Sequence, residues 1–341
     1  MPLMDITKNK SLKGYNTFGI DCSSSFFARI SSLNDLDELY RHPLFKSQKK
    51  LILGGGSNIL FTSNYNGLVI KNEIKGIEVI RETNDIVEVQ IGAGVNWHKF
   101  VTYAVNNKWG GVENMSLIPG NCGTAPMQNI GAYGAEIKDT FISLNAYQIE
   151  TGKTVSFDRK KCEFGYRESV FKNDLKDQYI ILDIKLRLQK KPILNTKYGD
   201  IKSTLIKNKI SRPTLKDVSN AVIEIRTNKL PNPKKIGNAG SFFKNPIIPQ
   251  EQFKKIKTKF PEVVSYAINE KEVKLAAGWL IEKAGWKGKD FGNFGVHKKQ
   301  SLVLVNYNNA SGKEIFDLSQ DILEDVYNKF QVKLEREVNI F

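Results

Sequence analysis

The sequence predicts a protein of two or three domains that mixes short β-strands with amphipathic helices. Three observations carry this. The chain has 341 residues, more than a single core usually serves. Apolar patterns of period two stand beside stripes at helical spacing along its length. Glycine-rich turns follow predicted strands or precede short apolar elements at 54–58, 92–94 and 119–134.

Ser32 is placed to cap a helix carrying Leu33, Leu36, Leu39 and Tyr40, which Pro43 stops. Leu51-Ile52-Leu53 reads as a buried strand running into Gly54-Gly55-Gly56-Ser57-Asn58. That turn lacks the G-x-G-x-x-G spacing of a dinucleotide fold, and Asn58–Thr62 shows no helix start. What it offers is a strand-end nest of main-chain N–H groups, with Ser57 and Asn58 as further donors. Val87, Val89 and Ile91 alternate in a strand over 85–91, which ends in Gly92-Ala93-Gly94. Asn96 caps the next helix, with Trp97, Phe100, Val101, Ala104 and Val105 on one face and Gly110-Gly111 at its end.

The stretch 119–134 holds Pro119, Gly120, Gly123, Thr124, Pro126, Gln128, Asn129, Gly131, Ala132, Tyr133 and Gly134. Four glycines and two prolines in sixteen residues exclude a regular helix. Bare backbone of this kind can close its N–H groups on an anion, a diphosphate above all. A purely structural loop fits the same residues. Three such turns within about 80 residues point to one extended ligand.

Strands are expected over 141–149 and 179–188, the latter with Ile180, Leu182, Ile184, Leu186 and Leu188 on one face. The run from Gln189 to Ser211 is polar and contains Tyr198-Gly199-Asp200. Val218, Ala221, Val222 and Ile225 form a helical stripe, broken by Lys229-Leu230-Pro231-Asn232-Pro233. A helix is expected over 272–284, with Val273, Ala276, Ala277, Leu280, Ile281 and Ala284 inward, and a buried strand over 302–305. Ser311 and Glu314 have capping-box spacing before a helix with Ile315, Leu318, Ile322 and Val326.

Composition narrows the function. Hydrophobic and charged shares of 40% and 26% are those of a soluble globular protein. The first residues form no apolar core of signal-peptide length, and no apolar run approaches the roughly 20 residues that span a bilayer. A cytoplasmic location, no membrane partner and a monomer are expected. The net charge of +15 raises nucleic-acid binding, but the lysine pairs are scattered and no run of five occurs. Solvated surface is preferred, and no nucleic-acid partner is expected. Cys22, Cys122 and Cys162 form neither a CxxC pair nor a disulfide framework. Cys122 reads as a small turn residue rather than a nucleophile. His42, His98 and His297 have no metal-ligand spacing, so no metal is expected.

The order of the motifs carries more than any one of them. Gly-Gly-Gly-Ser-Asn-Ile-Leu, Gly-Ala-Gly, Pro-Gly-x-x-Gly-x-x-Pro-x-Gln-Asn-Ile-Gly-Ala-Tyr-Gly, Tyr-Arg-Glu-Ser, Gly-Asn-Ala-Gly-Ser-Phe-Phe-Lys-Asn-Pro and Leu-Glu-x-Glu-Val follow one another here. In that order they resemble the UDP-N-acetylenolpyruvoylglucosamine reductase family, flavoenzymes that make UDP-N-acetylmuramate for peptidoglycan. The match runs from about residue 15 onward. Tyr198-Gly199-Asp200 is similar to the substrate-covering loop of the longer, type I branch.

The resemblance implies an α+β fold. Two subdomains of the vanillyl-alcohol-oxidase type would hold FAD, with a C-terminal α/β substrate domain. Mapped here, the first FAD subdomain is 1–75 with 332–341, the second 76–214, and the substrate domain 215–331. It implies that Gly54, Gly55, Gly56, Ser57, Asn58, Gly92, Ala93 and Gly94 line FAD together with the named residues of 119–134. It implies NADPH as hydride donor to flavin N5, then hydride transfer to C3 of the enolpyruvyl group of the UDP-sugar. Charge that develops at C2 and its carboxylate needs fixed donors and then a proton. Arg167 is similar to the family's carboxylate clamp, Ser241 to its proton donor at C2, and Glu337 to its catalytic glutamate. Seen alone, these would read as an ion-pair partner, a turn cap and a solvated strand position. Tyr198, Lys229, Asn245 and Gln300 match the contacts to the UDP-sugar. Val338-Asn339-Ile340-Phe341 follows Glu337 without the arginine usual there, so how that segment is held is left to the fold. A flavin oxidase of another substrate would explain the glycine turns but not Ser241 with Arg167. A basic nucleotide-binding protein would use the charge and leave the ordered motifs without a role.

Overall fold

A computed structural model describes residues 5–341. The chain divides into two compact units. The first comprises the described residues up to Lys10 with Ser24–Gly55 and Tyr65–Asn228; the second comprises Ser11–Ser23, Gly56–Asn64 and Lys229–Phe341. Both mix strands and helices, as expected.

The first unit is built on two sheets. One has the strand order Ile6–Ser11, Ser23–Ile30, Tyr65–Asn72, Lys50–Leu53, and its last three strands run parallel. Parallel neighbours need a crossover. The helices Leu33–Arg41 and Pro43–Ser47 supply it, the first started by a Ser32–Asp35 capping box and the second by Pro43 at its first position. The other sheet is antiparallel, in the order Thr154–Asp158, Phe141–Gln148, Tyr179–Gln189, Ile86–Gly92, Ile77–Glu82. The expected strands over 85–91, 141–149 and 179–188 all lie in it. Helix Trp97–Asn106, capped by the Asn96 side chain, packs Trp97, Phe100, Val101 and Ala104 into the same core as Val87, Val89, Ile91 and Ile184. A second core joins Leu36, Leu39 and Phe45 of the crossover to Leu68, Ile70 and Tyr147.

One stretch holds more structure than its composition announces, and one expectation needs correction. The polar run after Leu188 contains a helix, Ile201–Lys207, whose Ile201 and Leu205 pack with Val218, Val222 and Ile225 of the helix Leu215–Lys229. In the second unit, 272–284 is not one helix. Glu272–Leu275 is the central strand of a three-stranded sheet, paired antiparallel with Ile247–Pro249 and Ser265–Ala267. Only Ala277–Lys283 is helical. Val273 and Leu275 are buried at period two, and ladders on both sides outweigh the local helical spacing.

The buried run expected over 302–305 is a short strand, Leu304–Asn306, paired with Phe294–Val296. Helix Gly312–Phe330 starts with the Ser311–Glu314 capping box and packs on these strands and on Ala277–Lys283. Asn339–Ile340 pairs in parallel with Ile59–Leu60. No described helix is long and apolar enough to cross a membrane.

Candidate functional site

In the first unit the glycine turns converge. Gly123 N–H donates to the Ala93 carbonyl at 2.9 Å, and Cys122 N–H to Val95 at 2.8 Å. The Gly120 carbonyl accepts from Trp97 N–H at 3.0 Å and from the Asn96 side chain at 3.2 Å. A Cβ on Gly123 would lie 2.4 Å from Ala93 Cβ, one on Gly55 2.7 Å from Gly120 Cα, and one on Gly54 2.4 Å from Thr124 Cγ2. These positions are glycine because the turns touch one another. At Gly92 the space for a Cβ is filled by Ile74 and Lys75, and at Gly94 by Glu73.

The turns differ in what their backbone can still bind. The N–H groups of Gly92, Ala93 and Gly94 donate to the carbonyls of Gly76, Leu182 and Ile74, and those of Gly123 and Thr124 to Ala93 and Asn121. These five are committed to the protein. Among the described residues, the amides of Gly54, Gly55, Gly120 and Asn121 have no protein acceptor. Gly54 and Gly120 are buried, Gly55 and Asn121 half-buried. Buried backbone donors are nearly always satisfied, so four unmatched amides on two touching turns form an anion nest. A diphosphate offers several acceptor oxygens to such a nest, so these residues fit FAD.

Beyond Thr124 the central stretch becomes two single turns, Cys122–Thr124 and Pro126–Gln128, and a small hairpin, Gly131–Ala132 with Ala135–Glu136. Pro119 is exposed, and Gln128 and Ala132 are half-buried. Asn129 is buried at φ +45°, and its side-chain amide donates to Glu136 and to the Gly165 carbonyl, both at 2.9 Å. Ser169 Oγ donates to the Met127 carbonyl at 2.7 Å. These bonds hold the Tyr-Arg-Glu-Ser turn against the central stretch. Arg167 sits in that turn at φ +58°, donates to the Gly131 carbonyl at 2.9 Å and lies 5.4 Å from the centre of the Tyr166 ring. Tyr133 also has positive φ, +50°. Asn129, Tyr133 and Arg167 are thus left-handed non-glycine residues in one neighbourhood, the kind of strain that gathers at binding sites. The exposed Tyr198 lies against Gly134, where a Cβ would come within 3.3 Å of its ring, and Asn195 links both segments through Asn114.

Three cations in this unit escaped sequence reasoning. Lys71 donates to the Gly54 carbonyl, and Lys75 to Gly94 at 2.6 Å. Arg226, next to the stripe residue Ile225, has a buried Nε with no acceptor. Burial disfavours its charge, Tyr133 favours it, and the Arg167 guanidinium disfavours it further. A half-buried arginine whose charge burial and a neighbouring guanidinium both disfavour is the kind of group that an anionic ligand would stabilise. Arg226 also helps burial hold His98 below the usual histidine range. The only local signal for Arg226 was a charged residue directly beside a buried stripe.

The second unit holds Ser241, Glu337, Asn245, Gln300, Gly56, Ser57 and Asn58. Gly240 precedes Ser241 at φ +71° with open space where a Cβ would stand, and its N–H donates to the Asn238 side chain at 3.0 Å. Glu337 N–H donates to the Phe242 carbonyl and Lys244 N–H to Glu335, at 2.8 and 2.9 Å. This pairing sets Glu337 across from the residue after Ser241. Glu335 is exposed and pairs with Lys244 at 3.1 Å, whereas Glu337 is half-buried. Arg336 turns away to Ser319 and Gln320, both at 2.8 Å. The segment after Glu337 is held without the missing arginine. Asn58 donates to the Glu337 carbonyl at 3.3 Å, Asn339 donates back to Asn58, and Thr62 donates to the Phe341 carbonyl from both main chain and side chain. Asn58 therefore positions the glutamate strand. Gly56 is left-handed at φ +64°, with a Cβ blocked by the Tyr15 carbonyl at 1.9 Å, and Ser57 is half-buried. Asn245 Oδ1 accepts from Ala277 N–H at 3.0 Å, and Gln300 Oε1 lies 3.2 Å from where a Gly278 Cβ would be. Those two thus meet at the start of helix Ala277–Lys283. Lys229 is exposed at the end of Leu215–Lys229.

All three cysteines are buried. Burial pushes the Cys22 thiol up to about 11 and Cys162 to about 12, with Asp21 and Asp158 adding to the rise, and it pushes Cys122 up further. None is an activated nucleophile. Among the described residues no group of acidic, histidine and cysteine side chains could hold a metal ion.

Comparison with known proteins agrees with this geometry. Residues 24–158 match the FAD binding domain, and 232–341 match the C-terminal domain of UDP-N-acetylenolpyruvoylglucosamine reductase. The chain is 54% identical over 338 residues to UDP-N-acetylenolpyruvoylglucosamine reductase of Flavobacterium johnsoniae, covering 99% of this chain and 100% of that protein. It is 47% identical to the enzyme of that name from Amoebophilus asiaticus, covering 99% of each. Its fold is shared with the crystal structure of UDP-N-acetylenolpyruvylglucosamine reductase from Thermus caldophilus, at a TM-score of 0.67 and 20% identity over 99% of this chain and 98% of that one. It is shared more loosely with 4-ethylphenol oxidase from Gulosibacter chungangensis, at a TM-score of 0.50 and 10% identity over 93% and 83% of the two chains. The fold is α+β, an FAD-binding part followed by a C-terminal domain, and the chain belongs to the UDP-N-acetylenolpyruvoylglucosamine reductase family.

Proposed function

We propose that this protein is a flavin oxidoreductase that reduces UDP-N-acetylenolpyruvoylglucosamine to UDP-N-acetylmuramate for peptidoglycan synthesis. It uses NADPH and works as a cytoplasmic monomer. The observation that best supports the reading is the Glu337 N–H bond to the carbonyl of Phe242, the residue after Ser241. Family membership and the anion nest at Gly54, Gly55, Gly120 and Asn121 support it.

The nest would hold the FAD diphosphate, with Gly92–Gly94 and the rest of 119–134 shaping the wall beside it; the resemblance adds Gly56, Ser57 and Asn58 to the FAD contacts. When bound, FAD carries a hydride from NADPH to C3 of the enolpyruvyl group. The chain's own residues supply the rest. Arg167, with Arg226 beside it, holds the substrate carboxylate and stabilises charge that spreads from C2. Ser241 gives its hydroxyl proton to C2. A serine is a weak acid, so this works only if the hydroxyl is aimed before the carbanion forms. Glu337 acts beside it as a donor in its protonated form or through water, since a bare carboxylate would repel the developing charge. Tyr198, Lys229, Asn245 and Gln300 bind the UDP-sugar, Lys229 as a point charge for the diphosphate. In this reading 1–75 with 332–341 and 76–214 form the FAD part and 215–331 the substrate part.

The test is direct. The purified protein should carry a visible flavin spectrum, and its NADPH oxidation should depend on the enolpyruvyl sugar nucleotide. A colourless protein that takes up no FAD would refute the reading. NADPH oxidation indifferent to that substrate would favour an oxidase instead.

A further inference from the structure

The peptide between Gly54 and Gly55 is planar and trans, so the Gly54 carbonyl and the Gly55 N–H leave it in opposite directions. Its two edges meet different surroundings. On one, the Lys71 ammonium donates to the Gly54 carbonyl. On the other, the Gly55 N–H has no protein acceptor, and the Gly55 backbone touches Gly120. The register of the parallel sheet creates this. Leu53, the last residue of its strand, pairs with Lys71, so the lysine stands beside the start of the turn. The ammonium is half-buried, and burial disfavours its charge. Glu73, which pairs with Arg29 at 3.6 Å, favours that charge, while Lys75 and Arg29 disfavour it, so the net balance stays against the ammonium. A lysine kept in such a place, against a carbonyl, needs a purpose beyond surface charge.

We propose that Lys71 is a positioning residue of the anion nest. It holds the Gly54–Gly55 peptide with its N–H directed away from the ammonium. It also draws electrons through the amide, so that the Gly55 N–H becomes a stronger donor to a diphosphate oxygen. Lys75 on the Gly94 carbonyl secures the neighbouring turn, whose N–H groups are already used by the protein, so it holds shape without feeding the nest. The proposal rests on the reading that the nest takes the diphosphate of FAD.

The experiment separates the two. Apoprotein is titrated with FAD and with riboflavin, which has the same ring system and no diphosphate, while flavin fluorescence is followed. The wild type should bind FAD far more tightly than riboflavin. Lys71→Met should weaken FAD binding by about tenfold or more, while riboflavin binding stays within about twofold. Lys71→Gln, which keeps a donor and loses the charge, should fall between, and Lys71→Arg should restore the affinity. If Lys71→Met does not fold, the glutamine and arginine variants carry the test. An equal loss for both flavins would make Lys71 a plain structural residue and overturn the proposal. So would unchanged FAD affinity in the methionine and glutamine variants. A wild-type protein that binds neither flavin overturns the cofactor reading itself, and is a different result.

Discussion

The main-chain amide of Glu337 donates to the carbonyl of Phe242 at 2.8 Å, which fixes the glutamate one position from Ser241 across a strand pairing. If Ser241 is the proton donor, only one half-reaction needs it. Ser241→Ala should leave flavin reduction by NADPH intact and slow flavin reoxidation by the enolpyruvyl substrate by about 10²-fold or more. Stopped-flow absorbance resolves the halves. Equal slowing of both would remove Ser241 from proton transfer.

The glutamate depends on the strand that carries it. Asn339 donates to Asn58 from main chain and side chain, Phe341 N–H donates to Leu60, and Thr62 donates twice to Phe341. Deleting residues 339–341 removes these bonds. It should lower stability by about 2 kcal/mol or more and depress the substrate half-reaction further than the NADPH half-reaction. Urea midpoints and the same stopped-flow traces check it. Unchanged stability would mean the pairing holds nothing.

Two glycines should answer differently to alanine. At Gly55 a Cβ would meet Gly120 Cα at 2.7 Å, backbone against backbone, so Gly55→Ala should open the nest and abolish FAD retention. At Gly240 nothing lies within 4 Å, and only the left-handed φ of +71° resists a side chain. Gly240→Ala should cost about 1 kcal/mol and keep the flavin. Flavin content after gel filtration distinguishes them. Full flavin retention in Gly55→Ala would contradict the contact.

Arg226 has a buried Nε with no acceptor, and burial and Arg167 both disfavour its charge. Replacing it by an uncharged side chain of similar volume removes that unsatisfied donor and the repulsion from Arg167. Arg226→Met should therefore raise stability by about 1 kcal/mol while raising KM for the sugar nucleotide about tenfold. A variant that is less stable with unchanged KM would assign the arginine to the fold.

Alkaline stability should follow the buried thiols. Their ordinary value is 9.0, and burial raises Cys22 to about 11 and Cys162 to about 12 in the native protein. Above about 9 the unfolded chain loses these protons while the folded chain keeps them. Stability is thus fully present below that pH and falls as pH rises from about 9 towards 12. Urea midpoints at increasing pH should show the decline, and Cys162→Ala should reduce its slope. An equal slope in that variant would place the cause elsewhere.

The sequence was most informative where local geometry and chemistry coincide. Ser32, Asn96 and Ser311 are caps because short polar side chains satisfy the first amides of a helix, and all three act so in the fold. The convergence of the glycine turns was legible from their repetition. Their division of labour was not. Gly92 and Gly94 face protein backbone, whereas Gly55 carries an unmatched amide, and only the tertiary neighbours tell these apart. The strand Glu272–Leu275 was hidden because its partners lie before it in sequence, beyond the reach of a helical spacing rule. Lys71 looked like one more charge in a basic chain, and the parallel register with Leu53 gave it a place.

The parallel pair of Ile59–Leu60 with Asn339–Ile340 also orders events in time. The Asn58–Asn339 bond within it closes a loop of 281 residues. During synthesis the segment 56–64 leaves the ribosome early and has no partner strand until the last residues follow. Contacts of such separation form late, so the Glu337 side of the pairing is among the final parts to set. A nascent chain can complete the parallel sheet of the first unit well before Asn339–Ile340 finds its partner, so the segment that carries Glu337 is ordered after that sheet.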